Sequence, residues 1–449
     1  MSQQQSAPTA SQQDSKAYLG WVMFVLVVVY TFNFIDRSII SILAIPIQQE
    51  LGVTDFQMGL MRGLSFAILY STLGVPVAWM ADRYNRVWIV GAALAAWSVM
   101  TAVCGLAGNA VQLFFARMGV GVGEAGGIAP SYSIISDYFP PHKRATMLAV
   151  FSLGIPIGSA VGIMYGGIMA AFYGWRMAFF VIGILGILLV PIFLFTIKEP
   201  KRGRFDGPKP DIKPVKITQV IRMLRAKKSF WLISFGAASS SIVGYGVSAW
   251  LPAFLVRSYG DQLPQFFEFL PAGMLPAGAP PILYAAYFFS AVMLIGGMIG
   301  ILMGGYLSDK LGVKNKAMYA LVPGTAFLLA VPFYITGMLT TSLGLLFFIL
   351  LFPLAFSLAW LGPVVSAIQH IVPPNMRATA TAVYLLINNL LGLAIGDPLI
   401  GKISDILREP FGDDSLRYAI LFGSILYLVA AVLFFLAAKQ LPKDWIKAE

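Results

Sequence analysis

The stretch Phe139-Pro-Pro-His-Lys-Arg-Ala-Thr146 returns as Val372-Pro-Pro-Asn-Met-Arg-Ala-Thr379, at an offset of 233 residues. Asp82-Arg-Tyr-Asn-Arg86 has a looser partner in Asp309-Lys-Leu-Gly-Val-Lys314, offset by 227. Two matches at nearly one offset mark a duplicated chain. Outward from these loops lie long apolar runs, each near the ~20 residues that a helix needs to cross a bilayer. They begin near Tyr18, Phe56, Trp88, Ala110, Ala145 and Trp175, and again near Phe230, Ile282, Ala317, Ser342, Ala378 and Arg417. The pattern predicts an all-α integral membrane protein of twelve transmembrane helices in two parallel six-helix pseudo-repeats. The expected organisation is a disordered cytoplasmic N-terminus over residues 1–17, a first bundle over 18–198, a cytoplasmic linker over 199–228, a second bundle over 229–440 and a cytoplasmic tail over 441–449. Parallel repeats of this kind mark secondary transporters with the substrate between the halves, near the bilayer midplane.

Composition agrees. Of 449 residues, 58% are apolar and only 11% charged, against roughly 25% charged in soluble domains. A soluble globular protein, a disordered chain and a nucleic-acid-binding module are excluded. The runs are continuous and do not alternate, so helices are expected and a barrel is not. The net charge of +11 is a matter of topology: Lys and Arg gather in the linker and after every second apolar run, which places those loops and both termini in the cytoplasm. The single cysteine, Cys104, permits no intrachain disulfide. Met1 to Ser15 lacks the basic and apolar regions of a cleaved leader, so the first run is expected to stay. His142 and His370 sit near helix ends and read neither as metal ligands nor as catalytic bases. No nucleotide-binding loop or zinc motif is present. The chain is therefore expected to be no enzyme and to need no cofactor beyond an ion gradient.

Ionisable residues inside spans are costly and mark function. They crowd the first half: Asp36 and Arg37 on helix 1, Arg62 on helix 2, Arg117 and Glu124 on helix 4. At 1.5 Å per residue, Asp36, Glu124 and Arg117 lie about 27, 21 and 31 Å from the cytoplasmic helix ends. Arg117 and Glu124 are seven apart and share a helix face, whereas Arg37 points about 100° away from Asp36, so the two are not expected to face the same cavity. A guanidinium can grip a phosphate or carboxylate headgroup bidentately, so Arg117, with Arg37 and Arg62, is a candidate for substrate binding. Three arginines against two acids leave room for one more negative charge. Glu124 and Asp36 are the candidate proton sites, because burial and a nearby arginine pull a carboxyl in opposite directions. Gly119, Gly123 and Gly127 form a small-residue stripe that lets a neighbouring helix approach.

The Asp82-Arg-Tyr-Asn-Arg86 loop resembles the signature loop of the major facilitator superfamily, and Arg117-Met-Gly-Val-Gly-Val-Gly-Glu-Ala125 resembles a second signature. Within that superfamily, Phe34-Ile-Asp-Arg37, Gly121-Val-Gly-Glu-Ala125 and Ile155-Pro-Ile-Gly-Ser159 resemble the spinster lipid transporters. Ala78 stands where the superfamily loop usually begins with Gly. The resemblance implies an alternating-access transporter of a lipid-like amphiphile, of sphingoid or lysophospholipid type, coupled to protons, in the plasma (inner) membrane. A small organic anion such as a sugar acid, or a drug to be expelled, are the alternative substrates.

Three further expectations concern the rest of the chain. Phe348, Phe352, Phe356 and Trp360 make an aromatic stripe on helix 10; the last three are candidates for contact with an acyl chain. Asp82, Arg83, Arg86, Asp137, Asp309, Lys310 and Arg377 lie at cytoplasmic helix ends and are candidates for a gate, with Asp82 facing the positive N-terminus of helix 11. Protons, an amphiphilic or anionic substrate and membrane lipids are the expected partners of a monomer.

Overall fold

The computed structural model describes residues 14–81, 83–140, 147–148, 150–202, 204–205, 217–269, 278–373 and 376–446. Asp82, His142 and part of the linker lie outside them. All regular structure among the described residues is helical.

The first half comprises α1 (Lys16–Ile42), α2 (Asp55–Ala81), α3 (Arg86–Cys104), α4a and α4b (Ala110–Glu124 and Ile128–Tyr138), α5 (Gly154–Phe172) and α6 (Trp175–Thr196). The second comprises α7 (Lys228–Tyr259), α8 (Pro281–Gly312), α9 (Met318–Leu339), α10a and α10b (Leu343–Leu358 and Leu361–His370), α11 (Arg377–Phe411) and α12 (Ser415–Asp444). An amphipathic linker helix, Ile217–Ala226, buries Val220 and Leu224 against the second half and leaves its arginines outside. Ten stretches are long and apolar enough to span by composition; the last of them runs through both α11 and α12. The span missed by that measure is α4, which carries Arg117 and Glu124 and is interrupted at 125–127. The chain is a multi-pass membrane protein.

One end of the bundle carries the start of α1, the end of α12 and the linker helix Ile217–Ala226, and is called here the linker end. At the other, far end the two halves close on each other. There α2 packs on α11, α5 on α8 and α1 on α7. Gly59 and Gly63 of α2 lie against the backbone of α11 around Leu393 and Asp397, and Gly401 of α11 lies against Asp55; a side chain at any of the three would collide with main chain. Asp55 accepts two hydrogen bonds from Arg257 of α7, both 2.8 Å, and one of 2.7 Å from Ser404 of α11. Asp405 caps the start of α2, accepting from the N–H groups of Asp55 and Phe56 at 3.0 and 2.9 Å, where a carboxylate complements the helix dipole. At the linker end, α4b packs chiefly on α1, α2 and α3, and α10b on α8, α9, α11 and α7. Each thus stays with its own half.

Candidate functional site

Positions on α1 and α4 place two arginine–carboxylate pairs side by side in the first half. Arg37 donates from Nε to Glu124 Oε2 at 2.5 Å. Arg117 Nη1 reaches Asp36 Oδ1 at 3.4 Å, and Thr101 of α3 donates to Asp36 Oδ2 at 2.6 Å. Asp36, Arg117 and Glu124 are all buried. The divergence of Asp36 and Arg37 does not keep them apart, contrary to expectation. Both engage α4, one a pair above the other, because the arginine stems span the angle and the seven-residue step on α4 supplies partners at two levels.

Three aromatic rings surround Arg37: Tyr70 at 4.5 Å, Phe66 at 4.9 Å and Phe34 at 5.2 Å from its guanidinium carbon. Phe66 also lies 5.7 Å from Arg117. The arginines therefore sit on ring faces, which favours cations at low exposure. Polar capacity is left over. Glu124 Oε1, Arg117 Nε and both side-chain heteroatoms of Asn33 are buried with no hydrogen-bond partner among the described residues. Asn33 is one turn from Arg37 on the same face of α1. The glycine stripe of α4 serves the approach of α3: Gly119 meets Met100, and Gly123 and Gly127 meet Trp97.

Arg62 takes a different position. A π-helical turn, Leu60–Leu64, interrupts α2 at this residue; such turns re-aim side chains at functional sites. Arg62 donates to Ala249 O of α7 at 2.9 Å, lies 4.2 Å from the Trp250 ring and faces Asp397 of α11, Nε to Oδ2, at 3.5 Å. Asp397 was absent from the sequence-based candidates. Its signal was present as a lone acid in an apolar run, Gly396-Asp397-Pro398. With Asp397 counted, three arginines face three acids, and the expected surplus of one positive charge is cancelled.

The aromatic stripe of α10 turns toward α9. Phe352 stacks on Phe333 at 4.7 Å and Phe356 lies 6.0 Å from the same ring. Phe356 also lines an apolar crevice of about 370 Å³ with Gly300, Gly304, Ala326 and Ala355. Trp360 is buried and donates to Ser357 O at 2.8 Å. These residues lie apart from the arginine–carboxylate pairs.

At the linker end, Arg86 is the centre of a closed network. It bonds Asp137, Ser133 at 2.8 Å, Glu199 at 2.6 Å and Pro200 O at 2.9 Å. Glu199 also accepts from the N–H groups of Arg86 and Val87, at 2.9 and 3.1 Å, capping α3. Arg83 donates to Trp79 O at 3.2 Å and lies over the Trp79 ring. Asp309 accepts from Tyr319 at 3.2 Å and Lys310 donates to Tyr306 at 3.2 Å. These contacts do not join the two halves: those of Arg86 run within the first half and to the start of the linker, and those of Asp309 and Lys310 within the second. Arg377 opens α11, its side chain outside the described residues. His370 stacks on Trp445 at 4.5 Å. Arg86→Ala is expected to remove the buried cation that Asp137 and Glu199 share, at a cost of about 3–5 kcal/mol. A large fall in the thermal unfolding midpoint in detergent checks it.

Residues 26–397 match the Major Facilitator Superfamily. The chain belongs to that superfamily. Spinster proteins are among its relatives. An MFS-type efflux pump of Mycolicibacterium smegmatis is 30% identical over 94% of this chain and 93% of its own. Protein spinster homolog 1 of Homo sapiens is 28% identical over 86% of this chain and 73% of its own. The crystal structure of a bacterial homolog to the human lysosomal transporter spinster, inward-facing and unoccupied, superposes with a TM-score of 0.83 at 30% identity, covering 97% of this chain and all of that one. The fold, the transporter class and the absence of enzyme chemistry follow from that membership.

Proposed function

We propose that the protein is a proton-coupled secondary transporter that moves a lipid-like amphiphile by alternating access, with both termini and the linker in the cytoplasm of a plasma (inner) membrane. The observation that carries the reading is the pair of buried arginine–carboxylate contacts, Arg37–Glu124 and Arg117–Asp36, on adjoining faces of α1 and α4. Buried ion pairs are poor devices for stability, since desolvation offsets their attraction, and inside a bilayer they mark ion or substrate paths. Glu124 and Asp36 are the proton-coupling carboxylates. Arg117 and Arg37 hold the headgroup, and Tyr70 and Phe66 line its approach. Charge balance across the three pairs favours a zwitterionic or polar headgroup over a strongly anionic one. A single chain supplies every partner, so a monomer suffices, and the proton gradient is the driving force with no organic cofactor.

The far end is closed by the packing of α2 on α11 and α1 on α7, which suits the inward-facing member of the cycle in this orientation. Export of an amphiphilic drug is the second reading, favoured by the efflux pump among its relatives. The test is uptake into proteoliposomes with and without an imposed pH gradient, offering a fluorescent lysophospholipid, a sugar acid and a lipophilic cationic dye. Gradient-stimulated movement of the lysophospholipid alone is expected. Movement of the sugar acid alone overturns the lipid reading, and indifference to the gradient overturns the coupling.

A further inference from the structure

The third ion pair, Arg62–Asp397, differs from the other two in joining the halves. Arg62 is on α2 and Asp397 on α11, with side chains 2% and 10% exposed. The contact is poorly satisfied. Nε stands 3.5 Å from Asp397 Oδ2, and both Nε and Nη2 of Arg62 have no hydrogen-bond partner among the described residues. Only Nη1 is bonded, to Ala249 O. The surrounding backbone is tightly fixed. Gly59 and Gly63 press on the backbone of α11, and Trp250 of α7 donates to Asp397 O at 3.0 Å. Opening the far end must part α2 from α11 here, and a buried arginine and a buried carboxylate would then each be left alone. That outcome is strongly penalised, so the pair resists opening even though it adds little to stability while closed.

We infer that Arg62–Asp397 is a charge latch between the halves, and that Asp397 is the coupling carboxylate of the second half: its charge holds the far end shut and its neutralisation releases it. The inference rests on alternating access and not on the identity of the substrate. Asp397 is in contact with Arg62 of α2; Arg117 of α4 and Tyr245 of α7 interact with it through charge, and Asp55 and Arg257 act on Arg62 in the same way. Arg117, which bonds Asp36, also acts on Asp397 through charge. When Asp36 is neutral, Arg117 is free to act on Asp397 and slacken its hold on Arg62, which links the central site to the latch through charge alone.

The experiment measures far-end distance. In a Cys104→Ser background, spin labels at Gln49→Cys and Glu409→Cys, both exposed at the far end, report separation by pulsed dipolar spectroscopy. The wild type is expected to be mostly short. Asp397→Asn and Arg62→Gln are each expected to raise the long-distance fraction at least about threefold, and Asp397→Glu to keep it short. Should a single variant fail to fold, Arg62→Gln with Asp397→Asn, which leaves neither charge alone, takes its place with the same expected rise. Wild-type distributions in the neutralised variants overturn the latch. The readout needs no substrate or gradient, so loss of gradient drive in a Glu124 variant with unchanged distances here sinks the latch and spares the proposed function.

Discussion

Replacing Arg117 by lysine is expected to lower transport by at least about tenfold while the protein still folds. Arg117 is nearly sealed from solvent, touches Asp36 through one nitrogen and leaves Nε unused. A guanidinium in that position keeps donors in reserve for a headgroup, and its flat fork fits a phosphate or carboxylate in a way an ammonium does not. Hydrogen bonds to charged groups contribute about 1.5–3 kcal/mol each. The loss of one donor contact to substrate therefore corresponds to a factor of ten or more. Lysine retains the positive charge beside Asp36 and the attraction to the Phe66 face, so the bundle has no uncompensated acid. Initial rates of lysophospholipid uptake into proteoliposomes check the outcome, with thermal unfolding as the control for folding. Near-normal uptake by Arg117→Lys removes this residue from the headgroup site.

Much of this arrangement was readable from the chain. Helix positions follow from apolar runs, and the crowding of Asp36, Arg37, Arg117 and Glu124 into one half followed from counting charges within them. What periodicity could not supply was partner choice. Asp36 and Arg37 point apart on an ideal helix, yet both find α4 because arginine side chains are long and α4 offers a cation and an acid two turns apart. Arg62 is displaced by a π turn that no apolar pattern announces. Asp397 was passed over because only its surroundings on another half make it a partner. The aromatic stripe of α10 was correctly periodic, but periodicity does not say which neighbour a face meets, and that neighbour is α9. The linker-end charges were read as a gate between halves. The hydrogen bonds of Arg86, Asp309 and Lys310 among the described residues do not join the two halves, and charge position alone does not say which partner a helix-end residue takes.

Glu124→Gln is expected to bind and exchange substrate but to lose acceleration by a pH gradient entirely. Glutamine copies the protonated carboxyl in size and keeps an oxygen facing Arg37, while removing the proton that could be carried. Glu124 is the stronger candidate than Asp36 for two structural reasons. Its Oε1 has no hydrogen-bond partner among the described residues, so one oxygen is available to receive a proton without breaking a bond. Asp36 has Arg117 on one oxygen and Thr101 on the other, so protonation there must rearrange an existing bond, for example by turning the Thr101 hydroxyl to Trp97 O. Arg37 then serves as the sensor: its guanidinium rests among Phe34, Phe66 and Tyr70, faces that can hold the cation when Glu124 becomes neutral. The two pairs are near enough to titrate together, so apparent values in transport assays belong to the network as a whole. The deciding measurement sets wild type, Glu124→Gln and Asp36→Asn side by side in proteoliposomes, with exchange at equal pH and accumulation under an imposed gradient. Full gradient-driven accumulation by Glu124→Gln refutes the assignment. Its retention there, together with loss in Asp36→Asn, moves the proton site to α1. Loss in both, with exchange intact only in Glu124→Gln, is the expected pattern: Asp36 is bonded through both oxygens, whereas Glu124 is bonded to Arg37 through one and has the other without a partner among the described residues.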